Sequence, residues 1–131
     1  MRLEKMRAVH NLDFSRTRRY GEDLMTEAQK RERPPVDHPI VRRHPETGRR
    51  CVYLGDHAEY IVGLPYDEGR ALIEELNAMT IHPDLTYEHR STAGELPLWD
   101  NRCVLHKATS FDEAHEGRVV RRCTVLGEVP H

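Results

Sequence analysis

Near the end of the chain, His106, Arg118 and Arg122 have residue types and spacing suited to chemistry. His106 closes the apolar run Cys103-Val104-Leu105, and the two arginines stand four apart in R-V-V-R-R-C-T-V-L-G. On a strand, alternate side chains share a face, so Arg118 and Arg122 would point the same way, roughly 13 Å apart at ~3.3 Å per residue. Two guanidiniums on an inward face need anions to meet them, and arginine's planar fork suits a carboxylate. Internal salt bridges, or a face open to water, are the alternatives. A histidine in an apolar run is either a metal ligand or a hydrogen-bonded core residue. The interval from His106 to Arg118 leaves room for a loop between neighbouring antiparallel strands.

Elements able to hold these residues can be read along the chain. Leu3, Met6 and Val9 recur at helical spacing, which predicts a short amphipathic helix over residues 2–10. It opens at Met1 without a capping residue, as the end of something longer would. Residues 11–38 are polar and arginine-rich and read as an excursion or loop, with Thr26 capping a short helix over 27–33 before Pro34-Pro35 stops it. Residues 40–44 and 50–54 flank a P-E-T-G turn and read as a β-hairpin. Residues 59–64 are a further extended piece. A helix is predicted over 67–80, capped by Asp67, with Ala71, Leu72, Leu76 and Met79 as its apolar stripe. Strands are predicted over 86–90, 95–99, 102–107 and 118–126. This order argues for a β-rich α+β fold in one domain over residues 1–131: a helical and loop excursion to residue 38, then a β-rich part over 39–131.

Composition narrows the possible functions. With 131 residues there is room for one ordinary domain. Leu, Ile, Val and Phe make up about a fifth of the chain, near the lower limit for a packed domain, so some surface should be covered by something else. The 20 basic and 22 acidic side chains give a net charge of −2, and the arginine clusters lack interleaved aromatics, which argues against a nucleic-acid partner. Cys51, Cys103 and Cys123 sit singly, with no C-x-x-C pair, as reduced thiols of a cytoplasmic protein would. The N-terminus is too charged for a signal peptide, and no long apolar run predicts a membrane span.

Three phrases carry a family resemblance: H-P-E-T-G-R-R-C-V-Y-L-G, W-D-N-R-C-V-L-H-K-A and R-V-V-R-R-C-T-V-L-G-E. From about Asp37 to Pro130, and more loosely back to Met1, the chain resembles the C-terminal half of the TauD/TfdA family. These are Fe(II)- and α-ketoglutarate-dependent dioxygenases of the taurine and dichlorophenoxyacetate type. The resemblance implies the C-terminal half of a double-stranded β-helix, or jelly roll, with flanking helices. It makes His106 the distal histidine of a two-histidine, one-carboxylate iron site. Arg118 would receive the distal carboxylate of α-ketoglutarate, and Arg122 the acidic group of a small sulfonate or carboxylate substrate. No general acid, base or nucleophile is assigned to this chain. The implied reaction couples oxidative decarboxylation of α-ketoglutarate to hydroxylation of the substrate.

The chain also departs from the family pattern. The family's H-x-D pair, which supplies the other two iron ligands, stands so far upstream of the distal histidine that counting back from His106 passes Met1. A threonine that contacts α-ketoglutarate falls there as well. His82-Pro83-Asp84 and His57-Ala58-Glu59 have comparable letters, but they align with other family elements. Ser91 replaces a large aromatic common in relatives, and Pro97 removes a ladder donor from a predicted strand. Three functions therefore compete. The first is a dioxygenase fragment whose missing N-terminal half is supplied by another chain or by a start assigned too late, with a complementing half or a homo-oligomer as its partner. The second is an inactive remnant or interaction module. The third is an independent metal protein using His82, Asp84 and His106.

Overall fold

Strand β1 (Arg7–His10) lies at the centre of a three-stranded antiparallel sheet, between β2 (Val36–Pro39) and β5 (Ala58–Ile61). The computed structural model describes residues 3–20, 24–110, 112, 114, 117, 119–125 and 127. The helix expected over residues 2–10 is thus a single 3-10 turn, Leu3–Lys5, followed by this strand. Ala8 pairs with both His38 and Ile61, and Val9 with Asp37 and Tyr60. Pairing on both edges outweighs a helical spacing of three apolar residues, because local propensity is a weak preference beside tertiary pairing.

The polar stretch after β1 is more ordered than its composition suggests. Helix α1 (Leu12–Tyr20) starts where the Asn11 side chain accepts the Asp13 amide at 3.0 Å. Helix α2 (Glu27–Glu32) begins at the expected Thr26, whose hydroxyl accepts the Gln29 amide while the Gln29 side chain returns to the Thr26 amide. This reciprocal capping box satisfies two amides that the first turn would leave open.

Ile40 joins two sheets. Its amide donates to Met6 O at 3.0 Å, and its carbonyl accepts the Tyr53 amide at 2.7 Å. The expected hairpin follows as β3 (Val41–Arg43) and β4 (Arg50–Val52), with Val41 opposite Val52. Gly48 closes its turn at φ 68°, a left-handed conformation that glycine adopts without a Cβ penalty.

Helix α3 (Tyr66–Thr80) matches its predicted span, but Pro65 rather than Asp67 occupies the cap position. Its buried face is Gly69, Ile73 and Leu76, with Leu72 packed beside them, whereas Ala71 and Met79 are exposed. The stripe is rotated because Gly69 brings the helix against β5: a Cβ there would lie 3.2 Å from the Ile61 amide nitrogen. Ala8, Ile40, Leu54, Ala58, Ile61, Ile73 and Leu76 form the core. No described residue beyond Leu76 belongs to it.

None of the predicted strands beyond residue 85 is formed among the described residues. Among the described residues, 86–110 and 119–125 hold turns and irregular backbone without strand pairing, and Arg118 and Leu126 lie outside the described residues. The part expected to be β-rich, 39–131, therefore has its described strands only in β3, β4 and β5. A strand is stable only beside a neighbour, and Pro97 removes one donor as well. Leu96, Leu98, Val119 and Val125 are each at least 90 % exposed. The accessible surface is 11153 Å². A folded monomer of this mass ordinarily exposes about 7100 Å². The mixed antiparallel architecture is present, but the described residues do not close a jelly roll.

Candidate functional site

The His106 ring lies against the Trp99 indole, with centroids 5.1 Å apart and planes inclined at 51°. Trp99 Nε1 donates to Asn101 Oδ1 at 2.7 Å, and the turn closes where the Cys103 and Val104 amides both donate to Asp100 O. The W-D-N phrase is thus the turn that carries His106.

Ionic contacts fasten this turn to the β3–β4 hairpin. The Thr47 amide donates to His44 Nδ1, which leaves Nε2–H to donate to Asp100 Oδ2 at 3.0 Å. Arg102 grips Asp100 through both Nε and Nη2 and reaches Glu46 at 2.9 Å. These bonds, from Arg102 first and then His44, hold the Asp100 carboxyl well below the usual carboxylate range. The Arg102 guanidinium is shifted upward in return. Cys51 Sγ donates to Arg102 O at 3.4 Å, and burial pushes that thiol up. Asp100→Ala is therefore expected to release the segment after residue 80. Limited proteolysis should cut between residues 80 and 107 several-fold faster, while the urea midpoint of the core stays in place, because the partners of the carboxylate, His44 and Arg102, lie outside the core.

The residues singled out in the sequence are not gathered into one centre. His106 is exposed. Arg122 is exposed and lies outside any strand, and Arg118 is outside the described residues. Among the described residues, a single group of three ligand-type side chains converges: His44, Asp100 and Cys103, with ligand atoms within 4.8 Å. His106 is not part of it. His82 caps the 3-10 turn Pro83–Leu85 by accepting the Asp84 amide, so His82 and Asp84 serve that turn rather than a centre with His106. His57 precedes β5, and Glu59 is bound by Asn11 at 2.8 Å. An iron site of two histidines and one carboxylate is therefore not fitted by the described residues, whose one converging group of three offers one histidine, one carboxylate and one thiol.

A cleft that the sequence did not announce lies at the His10 end of β1. It holds about 210 Å³ and is lined by His10, His38, His57, Tyr53, Arg33 and Val36, among others. The rings of His10 and His38 are 5.1 Å apart, and each lies 5.4 Å from Tyr53. Arg42 stacks on the Tyr53 ring at 4.3 Å. Burial is the leading cause that lowers all three histidines, with His10 brought to about 4. The Ser15 hydroxyl donates to Leu12 O at 2.9 Å, so at 2.6 Å His57 Nδ1 must be the donor to Ser15 Oγ, and His57 Nε2 is left as an acceptor. His10 Nε2 is buried without a hydrogen-bond partner among the described residues. These histidines come from three distant segments. Their only sequence signal is the abundance of histidine, nine in the chain.

Comparison with known proteins supplies the context. The chain is 40% identical over 126 residues to an α-ketoglutarate-dependent 2,4-dichlorophenoxyacetate dioxygenase of Cupriavidus pinatubonensis, a match spanning 96% of this chain and 43% of the relative. It is 36% identical over 95 residues to an α-ketoglutarate-dependent sulfate ester dioxygenase of Pseudomonas putida, covering 72% of this chain and 31% of that protein. The solved structure of AAD-2 in complex with Mn(II) and N-oxalylglycine superposes with a TM-score of 0.62 at 32% identity, over 69% of this chain and 35% of that one. The chain thus spans less than half the length of these relatives. Residues 1–124 match the family described as taurine catabolism dioxygenase TauD, TfdA family, and the chain belongs to that family.

Proposed function

We propose that this chain is the part of an Fe(II)- and α-ketoglutarate-dependent dioxygenase that carries the distal iron ligand. In this reading His106 is that ligand, Arg118 receives α-ketoglutarate, and Arg122 receives the acidic group of a small organic substrate. The reaction is hydroxylation of that substrate, coupled to decarboxylation of α-ketoglutarate to succinate. The observation that carries the proposal is the W-D-N turn: it presents His106 against Trp99 and is clamped to the hairpin through Asp100 and Arg102. The relatives' names, a phenoxyacetate dioxygenase and a sulfate ester dioxygenase, support an organic acid or ester as substrate.

The described residues do not fit a complete iron site, so the remaining ligands are assigned to an H-x-D-bearing segment outside these 131 residues. Exposed apolar residues beyond residue 85, and a surface roughly 4000 Å² larger than usual for this mass, support a complementing segment that covers them. Obligate interfaces bury about 2000–5000 Å². Assembly with further copies of the chain would cover the same surface without supplying the H-x-D pair. A second reading, an inactive remnant or interaction module, is favoured by the absence of His106 from the one group of three ligand-type side chains among the described residues.

The two readings separate in one assay. Purified chain is incubated with Fe(II), α-ketoglutarate and ascorbate, with and without a polypeptide carrying the H-x-D segment, and succinate is measured. Succinate that depends on both polypeptides supports the dioxygenase reading. None under either condition supports the remnant. Succinate from the chain alone would overturn the assignment of the missing ligands to another segment.

A further inference from the structure

We propose that His44, Asp100 and Cys103 form a binding site for one zinc(II) ion, which pins the W-D-N turn to the β3–β4 hairpin. The site shares no ligand with the iron centre assigned to His106, so it stands or falls apart from the dioxygenase reading.

Three donors of different kinds converge here from two distant segments. Their ligand atoms lie within 4.8 Å of one another, and His44 Nε2 is 3.0 Å from Asp100 Oδ2. Around a tetrahedral zinc ion with bonds of about 2.0–2.3 Å, neighbouring donors stand roughly 3.2–3.6 Å apart. The histidine and carboxylate are already close to that spacing. Cys103, exposed on its turn, has roughly 1 Å at most to close. A thiolate beside an imidazole selects a borderline-soft ion such as zinc(II) over calcium or magnesium, which take oxygen ligands. Water completes the fourth position.

The surrounding contacts accommodate the ion. Asp100 Oδ1 accepts both the Arg102 amide and Arg102 Nε at 2.9 Å, so Arg102 keeps that oxygen while Oδ2 turns to the metal. Arg102 Nη1 remains on Glu46 at 2.9 Å, which balances its charge beside the ion. For His44 Nε2 to ligate, its proton leaves and Nδ1 takes one up. Glu46 Oε2 stands 3.3 Å from Nδ1 and accepts that new hydrogen, giving the carboxylate–histidine–metal arrangement that orients a ligating ring. The Thr47 amide, which donates to Nδ1 at 3.2 Å, is released on an exposed turn where water receives it. The Cys103 thiol gives its proton to solvent. One thiolate, one carboxylate and one neutral imidazole then match the double charge of the ion. Cys103 stands three residues before His106, so zinc at this site fixes the turn on which His106 is presented.

Cobalt(II) is a coloured probe for such a site, titrated into the full chain under anaerobic, reducing conditions without iron or α-ketoglutarate. It is expected to give a sulfur-to-cobalt charge-transfer band that saturates at one ion per chain and is bleached by zinc(II). Cys103→Ser should abolish the band, and His44→Gln should weaken cobalt affinity by more than about tenfold. Glu46→Gln, which leaves every ligand in place, should weaken it by about tenfold. Cys51→Ser, Cys123→Ser and His106→Ala should retain the band. The nine histidines of the chain can hold ions without a thiolate, and the band reports only a site that uses one. Should the variants unfold, the unsubstituted chain reads the same event: zinc(II) must slow alkylation of Cys103 several-fold while Cys123 reacts as before. Cobalt binding without the band, a band that survives Cys103→Ser or is lost in Cys51→Ser, Cys123→Ser or His106→Ala, or unchanged alkylation of Cys103 would each overturn the proposal. None of these outcomes depends on succinate formation, so a failure here is distinguishable from a failure of the dioxygenase reading.

Discussion

His106→Ala is expected to abolish iron-dependent succinate formation by the completed enzyme while leaving the fold of this chain intact. Under the proposed assignment the variant removes a direct ligand. Loss of an outer partner of a metal ligand already costs about 10–100-fold in affinity or activity. Loss of the ligand itself should exceed that range. His106 is exposed, with its ring against the Trp99 ring, so the stability change should stay within about 0.5 kcal/mol. Urea unfolding of the variant beside succinate measurement of the reconstituted pair separates the two effects. An active variant would show that His106 is not a ligand. Coincident loss of fold and activity would show that its contact with Trp99 is structural.

The second large effect is on stability at acid pH. His10 has its pKa lowered from 6.5 to about 4 in the folded chain, chiefly through burial. Between those values the unfolded chain binds a proton that the folded chain resists, so stability is full above pH 6.5 and declines as pH falls toward 4. At 1.36 kcal/mol per pKa unit the His10 contribution amounts to about 3 kcal/mol at most. His38 and His57, lowered in the same direction, add to the decline. Urea midpoints measured from pH 7.5 to 4 should fall steeply for the natural chain, and the slope should flatten in His10→Gln. A midpoint that stays level over this range would mean that the His10 ring is hydrated and charges freely in the folded chain.

What the sequence reveals follows the range of the interactions involved. Thr26 with Gln29, the P-E-T-G turn and the α3 span were legible because each is completed within a few residues. β1 was not, because Ala8 becomes a strand residue only through His38 and Ile61, which are distant in the chain. The predicted strands beyond residue 85 show the reverse failure: alternation marks a stretch as able to form a strand, whereas forming one requires a neighbour. The candidate site divides in the same way. His106 and Arg122 stand out by residue type and by family phrase, although their backbone was expected to be strand and is not. His10, His38 and His57 lie in three segments with no common motif, and only the folding of β1 between β2 and β5 brings them together.

The surface left wet by the open segment has a calorimetric consequence. A chain of 131 residues buried to the ordinary extent would unfold with a heat-capacity change of about 1.6–2.0 kcal/mol/K, most of it from newly hydrated apolar groups. Here Leu96, Leu98, Val119 and Val125 are already hydrated before unfolding begins, so the increment is smaller. The curve of stability against temperature is correspondingly shallow. Its height rests on the small cluster around Ile40, Ile61 and Ile73, and cooling or warming changes that height less than the chain's length would suggest.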